Sequence, residues 1–476
     1  ENNSTPFEED RVSSVEQADE QIYRGANQYN PTQIVEFRQE YDGEDTITDD
    51  SEWIISGRIT RENEFGDFVF YDVDDRSETV QVMCRREDTD NYNELENLNL
   101  GDRVVFIGSA GRSNTDELTL YAESYTISGK ALNYVADEYN QYGEQKQITH
   151  RTGALTSDDD LFTTVQTRFT IQTQIREYLL QEGYNEFDTP LLHNTPGGAE
   201  ATPFTTHLEA LDMDVYLRIA PELYLKRLIT AGYSRVFELG RCFRNEDIDT
   251  THNPEFTMLE LYEEYATYED MMDIVEQIYT HVAMEIHDTT LIEYDDVEID
   301  VSDWEQVTFE ECLSREVPEP VLEYSAEELQ EFLPDHVTTS TDPSVDELLL
   351  EVFEEYVEDT LDGPVFVTEY PTISTPLCQT TDDNENRVQR FEAFIQGIEV
   401  GNAYTELTNP IEQRQRLIEQ ADGNVDDIND EFIEAISYGM PPTAGLGMGI
   451  DRLAMIMTDS QSIKSVLPFP MSAERR

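Results

Sequence analysis

The stretch RVFELGRCFRNEDIDTTHNPEFTMLELY, residues 235–262, contains two β-rich runs joined by a long polar loop. Successive side chains of a strand point to opposite faces. The second run therefore places Phe256, Glu260 and Tyr262 on one face, while the opposite face is mainly apolar. The pattern predicts an antiparallel hairpin with one face in a core and the other forming the wall of a polar pocket. On these residues alone, an exposed ribbon with solvated charges is an equally good interpretation.

Two basic side chains flank the loop of this hairpin. Arg244 follows the first run, and His252 precedes the second. A guanidinium group binds phosphate through two parallel N–H donors. Arg244 and His252 are therefore candidate phosphate ligands.

A second predicted hairpin is RFEAFIQGIEVGNAYTEL, residues 390–407. Its central Gln-Gly dipeptide suits a two-residue turn. That turn pairs Glu392 with Gly401 and puts Glu392 and Glu399 on one face, roughly 7–8 Å apart. Two carboxylates so close repel each other, and Mg²⁺ shared with phosphates removes the repulsion. The hairpin thus predicts a magnesium site, with a solvated acidic face as the alternative.

Three further residues of this hairpin, Asn402, Tyr404 and Glu406, follow the opposite alternation. We expect them to reach the same pocket only if the strand contains a β-bulge near Gly401.

The segment GLGMGIDRLAMIM, residues 445–457, is rich in glycine and runs into an apolar helix with Arg452 in its first turn. Helix N-termini favour anions, although close helix packing explains such glycines about as well. The sequence contains no GxxxxGK[ST] motif, so a P-loop is not predicted.

Residues 196–204, PGGAEATPF, predict a turn that can fold over a ligand, and a helix is predicted to start at Pro221. Glu222 lies in the first turn of that helix. A favourable interaction with the helix dipole and a contact to a ligand explain this carboxylate equally well.

Five short β-rich runs separated by turn residues lie between residues 53 and 127. This spacing predicts a small barrel, and an OB-fold is favoured, which binds nucleic acid through one strand face and its loops. A small structural β-domain is the alternative.

The charge of the chain is extreme. It has 476 residues, 103 acidic and 30 basic, and a formal net charge of −73; only four of the basic residues are lysines. Self-repulsion on this scale destabilises a compact state, and molar salt screens it over about 3 Å. The composition predicts an extreme halophile with high intracellular KCl. An unusually acidic mesophilic protein is the alternative.

Composition excludes several other classes. Hydrophobic residues make up 38% of the chain, which is enough for folded cores. No run of 18 apolar residues occurs, and the acidic start is no secretory signal, so we predict a cytoplasmic protein without a membrane span. The four cysteines form no CxxC pair, which argues against a zinc site.

Five segments together resemble the class II lysyl-tRNA synthetases, in a halophilic, haloarchaeal-like form. They are LRIAPELYLKRLITAGYSRVFELGRCFRNE (217–246), HNPEFTMLELY (252–262), FVTEYP (366–371), IEVGN (398–402) and GMPPTAGLGMGIDRLAMIM (439–457). The resemblance covers about residues 50–476, and the HIGH and KMSKS signatures of class I synthetases are absent.

This resemblance implies an α+β multidomain fold, in which an OB-fold β-barrel precedes a catalytic antiparallel sheet flanked by helices. The expected divisions are an acidic extension at 1–50, an anticodon-binding domain at 51–130, a linker at 131–150 and the catalytic domain at 151–476. A homodimer is expected, with Pro190 of the FDTP segment in its interface.

The implied reaction joins L-lysine and ATP to lysyl-adenylate and then transfers the lysyl group to the 3′-hydroxyl of tRNA(Lys). By resemblance, Arg244 and Arg452 are the catalytic residues, and Glu392 and Glu399 bind Mg²⁺. The implied ATP-binding residues are Arg244 at the α-phosphate, Glu246 at the adenine amino group, Phe256 and Arg452 on the two faces of the ring, and His252 and Asn253 near the phosphates and ribose.

The resemblance also implies a lysine subsite rich in carboxylates, because a buried ammonium group must be paired. None of the matched positions is Lys or Arg, whereas an aspartyl enzyme would need cations there. The implied lysine-binding residues are Gly198, Glu222, Glu260, Tyr262, Asn402, Tyr404 and Glu406.

In the barrel, Phe68 or Phe70 is expected to stack on an anticodon base, while Gln81 and Glu117 match positions that contact the anticodon in relatives. The chain departs from the family at Thr202, where arginine is usual. Alternative functions are an aspartyl- or asparaginyl-tRNA synthetase, a lysyl transferase that modifies a protein, and a catalytically silent tRNA-binding paralogue.

Overall fold

The computed structural model describes residues 28–41, 47, 51–132, 144–195, 197–198, 201–334, 336–337, 343–420 and 428–471. The chain divides into two compact units, Glu1–Gln141 and Tyr142–Arg476. Most of the predicted extension at 1–50 and of the predicted linker at 131–150 lies outside the described residues.

The first unit contains helix α1, Ile34–Glu40, and a closed barrel with the strand order β1-β2-β3-β5-β4. Alternate residues fill the barrel, as along β2, where Val69, Tyr71 and Val73 are buried. The predicted five-stranded barrel is confirmed. Its strands are β1 Glu52–Phe65, β2 Phe68–Asp74, β3 Thr79–Arg85, β4 Arg103–Arg112 and β5 Leu118–Gly129.

The second unit is built on an eight-stranded sheet with the order β14-β15-β16-β17-β18-β11-β10-β6. Two smaller sheets, β12-β13 and β7-β9-β8, accompany it. The strands are β6 Asn185–Glu186, β7 Leu192–His193, β8 Thr205–Leu208, β9 Met213–Leu217, β10 Arg235–Phe243, β11 Glu255–Glu264, β12 Leu291–Tyr294, β13 Val297–Asp300, β14 Glu305–Thr308, β15 Val365–Thr368, β16 Arg390–Ile395, β17 Ile398–Thr405 and β18 Thr443–Gly449.

The predicted antiparallel arrangement is correct for six strands, β15 to β10, and wrong at both edges. Strand β14 pairs parallel with β15, and β6 pairs parallel with β10. Parallel neighbours need a long crossover connection. Helices supply it between β14 and β15, and the small sheet with one helix supplies it between β6 and β10. The sheet is therefore mixed.

Helices cover one face of this sheet. Ile175, Val275 and Leu453, each from a different helix, share a buried core with Leu259 and Leu261 of β11. The opposite face is open in its middle, where it carries polar side chains, and two helices share a second buried core with Val236 and Tyr262 of this face. The helices of the unit are α2 Glu144–Thr149, α3 Arg151–Ser157, α4 Asp159–Gln181, α5 Glu222–Thr230, α6 Tyr268–His287, α7 Phe309–Glu316, α8 Ala326–Phe332, α9 Val345–Tyr356, α10 Pro410–Gln420, α11 Asp430–Ile436, α12 Ile450–Met457 and α13 Ile463–Val466.

None of the helices in the described part of the chain is long and apolar enough to cross a membrane.

The hairpin of β10 and β11 has the predicted form, with Cys242 opposite Phe256. The second hairpin also turns at the predicted dipeptide, where Gln396 has φ 49° and Gly397 has φ 69°, as a two-residue turn requires.

The predicted pairing of Glu392 with Gly401 is wrong. Strand β17 contains a bulge at Val400, so that Glu392 pairs with Asn402 and Ala393 pairs with Gly401. The extra residue shifts the alternation of every side chain that follows it.

Candidate active site

A cavity of about 920 Å³ lies on the open face of the eight-stranded sheet. All the residues predicted to bind ATP, Mg²⁺ or lysine line it, except Glu406. The alternative of an exposed ribbon with solvated charges is therefore wrong for the β10–β11 hairpin.

The bulge at Val400 brings the two alternations of β17 into one pocket. Glu399 precedes the bulge, Asn402 and Tyr404 follow it, and all three line the cavity. The bulge that the sequence left open is thus present and brings Asn402 and Tyr404 into the cavity.

Alternate glycines of β18 form the floor between the walls of the cavity. A Cβ on Gly445 would lie 2.3 Å from the Tyr262 ring and 2.6 Å from a Glu406 oxygen. These glycines lie in a strand and make room for the pocket, so close helix packing is not their explanation. The cross-strand rows are Tyr404–Gly445–Tyr262 and Asn402–Gly447–Glu260.

At the β16–β17 hairpin, Glu392 and Glu399 are each paired with an arginine. Arg390 donates to the Glu392 carboxylate and to Asn402 Oδ1, at 3.2 Å in the second contact. Arg452 Nη1 lies 3.2 Å from Glu399 Oε2. Burial raises the pKa of Glu392, Arg390 lowers it and the neighbouring Glu399 raises it, with a net upward shift. The two carboxylates therefore interact electrostatically, as predicted from the hairpin sequence.

This donor set fits Mg²⁺. Magnesium in nucleotide enzymes uses one or two carboxylates and takes its other ligands from phosphates and water. Among the described residues, no group of three or more His, Cys, Asp or Glu side chains is placed to hold a metal by itself. We therefore expect metal binding here to depend on a phosphate-bearing ligand.

The loop end of the first hairpin forms a second, cationic region of the cavity. The Arg244 guanidinium lies 5.2 Å from the centre of the Phe256 ring. Its buried Nε and the buried Oδ1 of Asn253 have no hydrogen-bond partner within the described ranges. A buried donor without a partner is costly, and a bound phosphate would satisfy the one on Arg244.

His252 and Glu246 are held by the surrounding loops. His252 Nδ1 lies 2.8 Å from Asp249 Oδ2, and its Nε2 lies 2.9 Å from Arg452 Nη2. Glu246 Oε1 accepts a hydrogen bond from the backbone N–H of Thr202 at 3.1 Å. Because the backbone makes this contact, the unusual side chain at position 202 is not required for it.

Carboxylates and phenols make up the third region of the cavity. Tyr404 donates its hydroxyl to Glu222 Oε1 at 2.5 Å, and Tyr262 donates to Glu260 Oε2 at 3.2 Å. Burial and the nearby Glu222 raise the pKa of Glu260 well above its usual range. Gly198 has φ +92° and lies beside the Cβ of Glu222, so glycine suits its backbone conformation.

Glu406 lies behind this region instead of lining it. Its side chain is 1% exposed, and its Oε2 lies 2.5 Å from the ammonium group of Lys226. The same ammonium group lies 2.5 Å from Glu222 Oε1. The sequence reasoning missed Lys226, although two signals point to it: lysine is rare in this chain, and position 226 is one helical turn after Glu222.

Two buried arginine networks adjoin the pocket, and neither was predicted from the sequence. Arg168 Nε donates to Asp451 Oδ1 at 2.7 Å, and the Thr257 backbone N–H donates to Asp451 Oδ2 at 2.8 Å. This fixes the first turn of α12, next to Arg452. In the second network, Arg218 Nη1 lies 2.5 Å from Glu238 Oε1, and Glu238 pairs with Glu260, so this ion pair lies on the cavity side of the sheet.

The predicted anticodon residues lie on the barrel of the first unit. Phe68 is half-buried and stacks against Phe65 at 5.8 Å. Gln81 accepts a hydrogen bond from Thr119 at 2.9 Å, and Glu117 is exposed just before β5. In the second unit, Pro190 is exposed.

The sequences of both units match known protein families. The family of class II tRNA synthetases (D, K and N) matches residues 143–473, and the OB-fold nucleic acid binding domain matches residues 53–128. The chain belongs to the class II tRNA synthetases.

Within that family the chain is similar to bacterial lysine–tRNA ligases. It is 40% identical to the enzyme of Enterococcus faecalis over 450 residues, which cover 91% of this chain and 90% of the relative. It is 40% identical to that of Lysinibacillus sphaericus, covering 88% and 86%. It is 38% identical to that of Bacillus subtilis, covering 88% and 87%.

Proposed function

We propose that this protein is a lysine–tRNA ligase. It would form lysyl-adenylate from L-lysine and ATP and then transfer the lysyl group to the 3′-hydroxyl of tRNA(Lys). One observation carries the choice of amino acid: the buried carboxylates of Glu222 and Glu260 line one end of the cavity, and the carboxylate of Glu406 lies behind them. A buried ammonium group needs such partners, whereas they repel aspartate and offer asparagine no benefit.

In the first step, the lysine carboxylate attacks the α-phosphorus of ATP, a P–O bond forms, and the bond to pyrophosphate breaks. Arg244 would neutralise the charge that develops on the α-phosphate. Its unpartnered Nε and its position over Phe256 support this role. The reaction needs positioning and charge stabilisation and no side-chain nucleophile.

The other nucleotide contacts follow from the cavity lining. Phe256 and Arg452 would enclose the adenine ring, and Glu246 would accept a hydrogen bond from the adenine amino group. His252 and Asn253 would lie near the phosphates and ribose. All five side chains line the cavity, which supports these assignments.

Glu392 and Glu399 would hold Mg²⁺ together with the phosphates. When bound, the ion would supply positive charge to the phosphate oxygens. Arg390 keeps the Glu392 carboxylate in place through its own hydrogen bond, and Asn402 lies opposite Glu392 in the sheet.

Lysine would occupy the region lined by Gly198, Glu222, Glu260, Tyr262, Asn402 and Tyr404. Glu406 would act from behind this lining, since its carboxylate is buried against Lys226.

The barrel would bind the anticodon of tRNA(Lys), with Phe68 as a stacking surface and Gln81 and Glu117 as polar contacts. The neighbouring Phe65 is 56% exposed and extends the aromatic surface of Phe68. Aromatic side chains on OB-folds bind single-stranded bases in this way.

We further propose a homodimer in the cytoplasm. Pro190, Leu191 and Leu192 are all exposed, the two leucines at 45% and 48%. Clustered apolar side chains on a surface favour a protein interface.

The predicted adaptation to high intracellular KCl remains a proposal and rests on the net charge of −73. The relatives reported above are bacterial, so they give no support to an archaeal form. We expect the free energy of unfolding to rise steadily with KCl up to molar concentrations. Unchanged stability between dilute buffer and molar KCl would contradict the proposal.

The direct test of function is ATP–pyrophosphate exchange in molar KCl with lysine, aspartate and asparagine in turn. We expect exchange with lysine alone, followed by lysylation of tRNA(Lys). Exchange with aspartate or asparagine would identify the other branch of the family. No exchange with any amino acid would instead favour a catalytically silent tRNA-binding paralogue.

A further inference from the structure

Lys226 of α5 is an ammonium group enclosed by the protein itself. Its side chain is 1% exposed, and its Nζ lies 2.5 Å from both Glu222 Oε1 and Glu406 Oε2. Three aromatic rings complete the enclosure at 5.3–5.9 Å from Nζ, those of Tyr262, Tyr404 and Phe432.

The charges around Lys226 do not balance. Glu260 is also buried, and Lys226 and Glu222 both act on it electrostatically. Arg218 also acts on Glu260, but it has its own carboxylate partner, Glu238, at 2.5 Å. With that pair included, four carboxylates share two cations, and two carboxylates are left without a cation of their own. Burying charge without a partner costs several kcal/mol, so the pKa of Glu260 and that of Glu406 are raised, and full ionisation of the cluster calls for a further cation.

The excess faces the cavity. Glu222 and Glu260 line the cavity, whereas Lys226 and Glu406 lie behind them. Lys226 therefore offsets the carboxylate that does not line the cavity and leaves the carboxylates of the lining available to a cation.

The choice of lysine at this position is itself informative. Only four of the 30 basic residues in the chain are lysines, and this one is almost fully buried. A compact ammonium group can approach two carboxylates within a ring of aromatic side chains, whereas the wide planar guanidinium of arginine cannot replace it there without rearrangement.

We propose that Lys226 is a positioning residue of the lysine subsite, which holds Glu222 in place and neutralises Glu406 so that the carboxylates facing the cavity are free for the substrate ammonium group. This inference rests on the proposed lysine–tRNA ligase function. Lys226 itself does not touch the substrate.

The first test is Lys226→Met, which removes the ammonium group at nearly constant volume. Glu222 then loses its partner, and we expect the KM for lysine in ATP–pyrophosphate exchange to rise about 10- to 100-fold, the range for a lost charged hydrogen bond. The KM for ATP should change less than about twofold, because the nucleotide region is not involved. An unchanged KM for lysine, or an equal rise in both KM values, would overturn the inference.

The second test is the double variant Lys226→Met with Glu406→Gln, which removes the buried unpaired charge of Glu406 and so guards against a failure to fold. We expect its stability to recover relative to Lys226→Met while its KM for lysine stays high, because Glu222 still has no cation to hold it. Return of the KM to the wild-type value would mean that Lys226 merely offsets Glu406.

Lys130→Met is the matched control. Lys130 is also a buried lysine, paired at 2.7 Å with Asp102 in the barrel. We expect Lys130→Met to lower stability and leave the KM for lysine unchanged. The outcomes are separable: a wild-type protein without lysine-dependent exchange refutes the proposed function, whereas normal wild-type exchange with an unchanged Lys226→Met variant refutes only the role of Lys226.

Discussion

The two buried lysines of this protein have very different partners. Lys130 is paired with the single carboxylate of Asp102, which also accepts hydrogen bonds from the backbone N–H groups of Asn99 and Ala131, each at 2.8 Å. In this group, the one positive charge is balanced by one carboxylate, and both oxygens of that carboxylate accept hydrogen bonds. Lys226 instead contacts two carboxylates, and apart from this ion pair neither oxygen of Glu406 has a hydrogen-bond partner among the described residues.

The difference distinguishes an ion pair that stabilises the fold from a cluster of charges that is suited to bind a ligand. A balanced, fully hydrogen-bonded ion pair has little to gain from a further cation. A cluster with surplus carboxylates becomes more stable when a cation binds. Sites that bind ligands often carry such a cost in stability.

The substitution Glu222→Gln should have the largest effect on lysine activation. Removing one partner of a buried ion pair costs ~3 kcal/mol or more, so we expect kcat/KM for lysine to fall at least about 100-fold in the exchange reaction. Asp102→Asn removes the corresponding partner of Lys130 and should lower stability without changing kcat/KM. A Glu222→Gln value within about threefold of wild type would remove the distinction between the two lysines.

The carboxylates Glu392 and Glu399 differ from the lysine cluster in that each has its own arginine partner. We expect Glu399→Gln to reduce exchange about 100-fold, the usual loss for one charged group at a reacting phosphate. Titration with Mg²⁺ should show weaker metal dependence, while the KM for lysine stays constant. Normal exchange in this variant would refute the metal assignment.

Gly445→Ala tests the space beside the lysine cluster. A Cβ there would lie 2.3 Å from the Tyr262 ring, which must shift to make room. We expect the KM for lysine to rise about tenfold with little change in the KM for ATP. Gly363→Ala is the control, since nothing lies within 4 Å of its Cβ position. Equal behaviour of the two variants would contradict this account of the floor.

The smallest expected effect is on thermal stability, which should differ in sign between carboxylate substitutions near Lys226 and near Lys130. Burial and Glu222 raise the pKa of Glu260 above its usual 4.5, so this carboxyl group lowers the stability of the unliganded fold, and the loss builds up as pH rises from 4.5 towards the raised pKa. Glu260→Gln should therefore increase the melting temperature by a few degrees, about 2–4 °C per kcal/mol, at pH 8. The gain should vanish near pH 4, where Glu260 is protonated in the folded state.

Asp102→Asn should instead lower the melting temperature at pH 8, because Asp102 is balanced by Lys130. A decrease for Glu260→Gln at pH 8 would show that Glu260 has a matched partner after all.

Local patterns in the sequence predicted much of this fold. The β10–β11 hairpin, the turn at Gln396 and helix α4 all depend on alternation, turn preferences and spacing within a few residues. Residues 161–181 have the apolar spacing of an amphipathic helix, and helix α4, Asp159–Gln181, occupies this segment, capped by Asp158, which accepts a hydrogen bond from Leu161 N.

The remaining features depend on contacts between distant residues. The bulge at Val400 changes one register and thereby the whole lining of the pocket. Arg168 and Asp451 are 283 positions apart in the chain, and no local pattern relates them. Similarly, the alternation of residues along β17 could not show that Glu406 lies behind Glu222. Their positions depend on Lys226 of α5, whose ammonium group contacts both carboxylates.

The most direct test of the central claim compares lysine with norleucine, its uncharged analogue, in ATP–pyrophosphate exchange by the wild-type protein. If surplus buried carboxylates select the substrate, kcat/KM for lysine should exceed that for norleucine by about 10⁴-fold, as for other sites whose polar groups are left unpaired by an analogue. Values for the two amino acids within about tenfold of each other, the discrimination expected of an apolar pocket, would contradict the account.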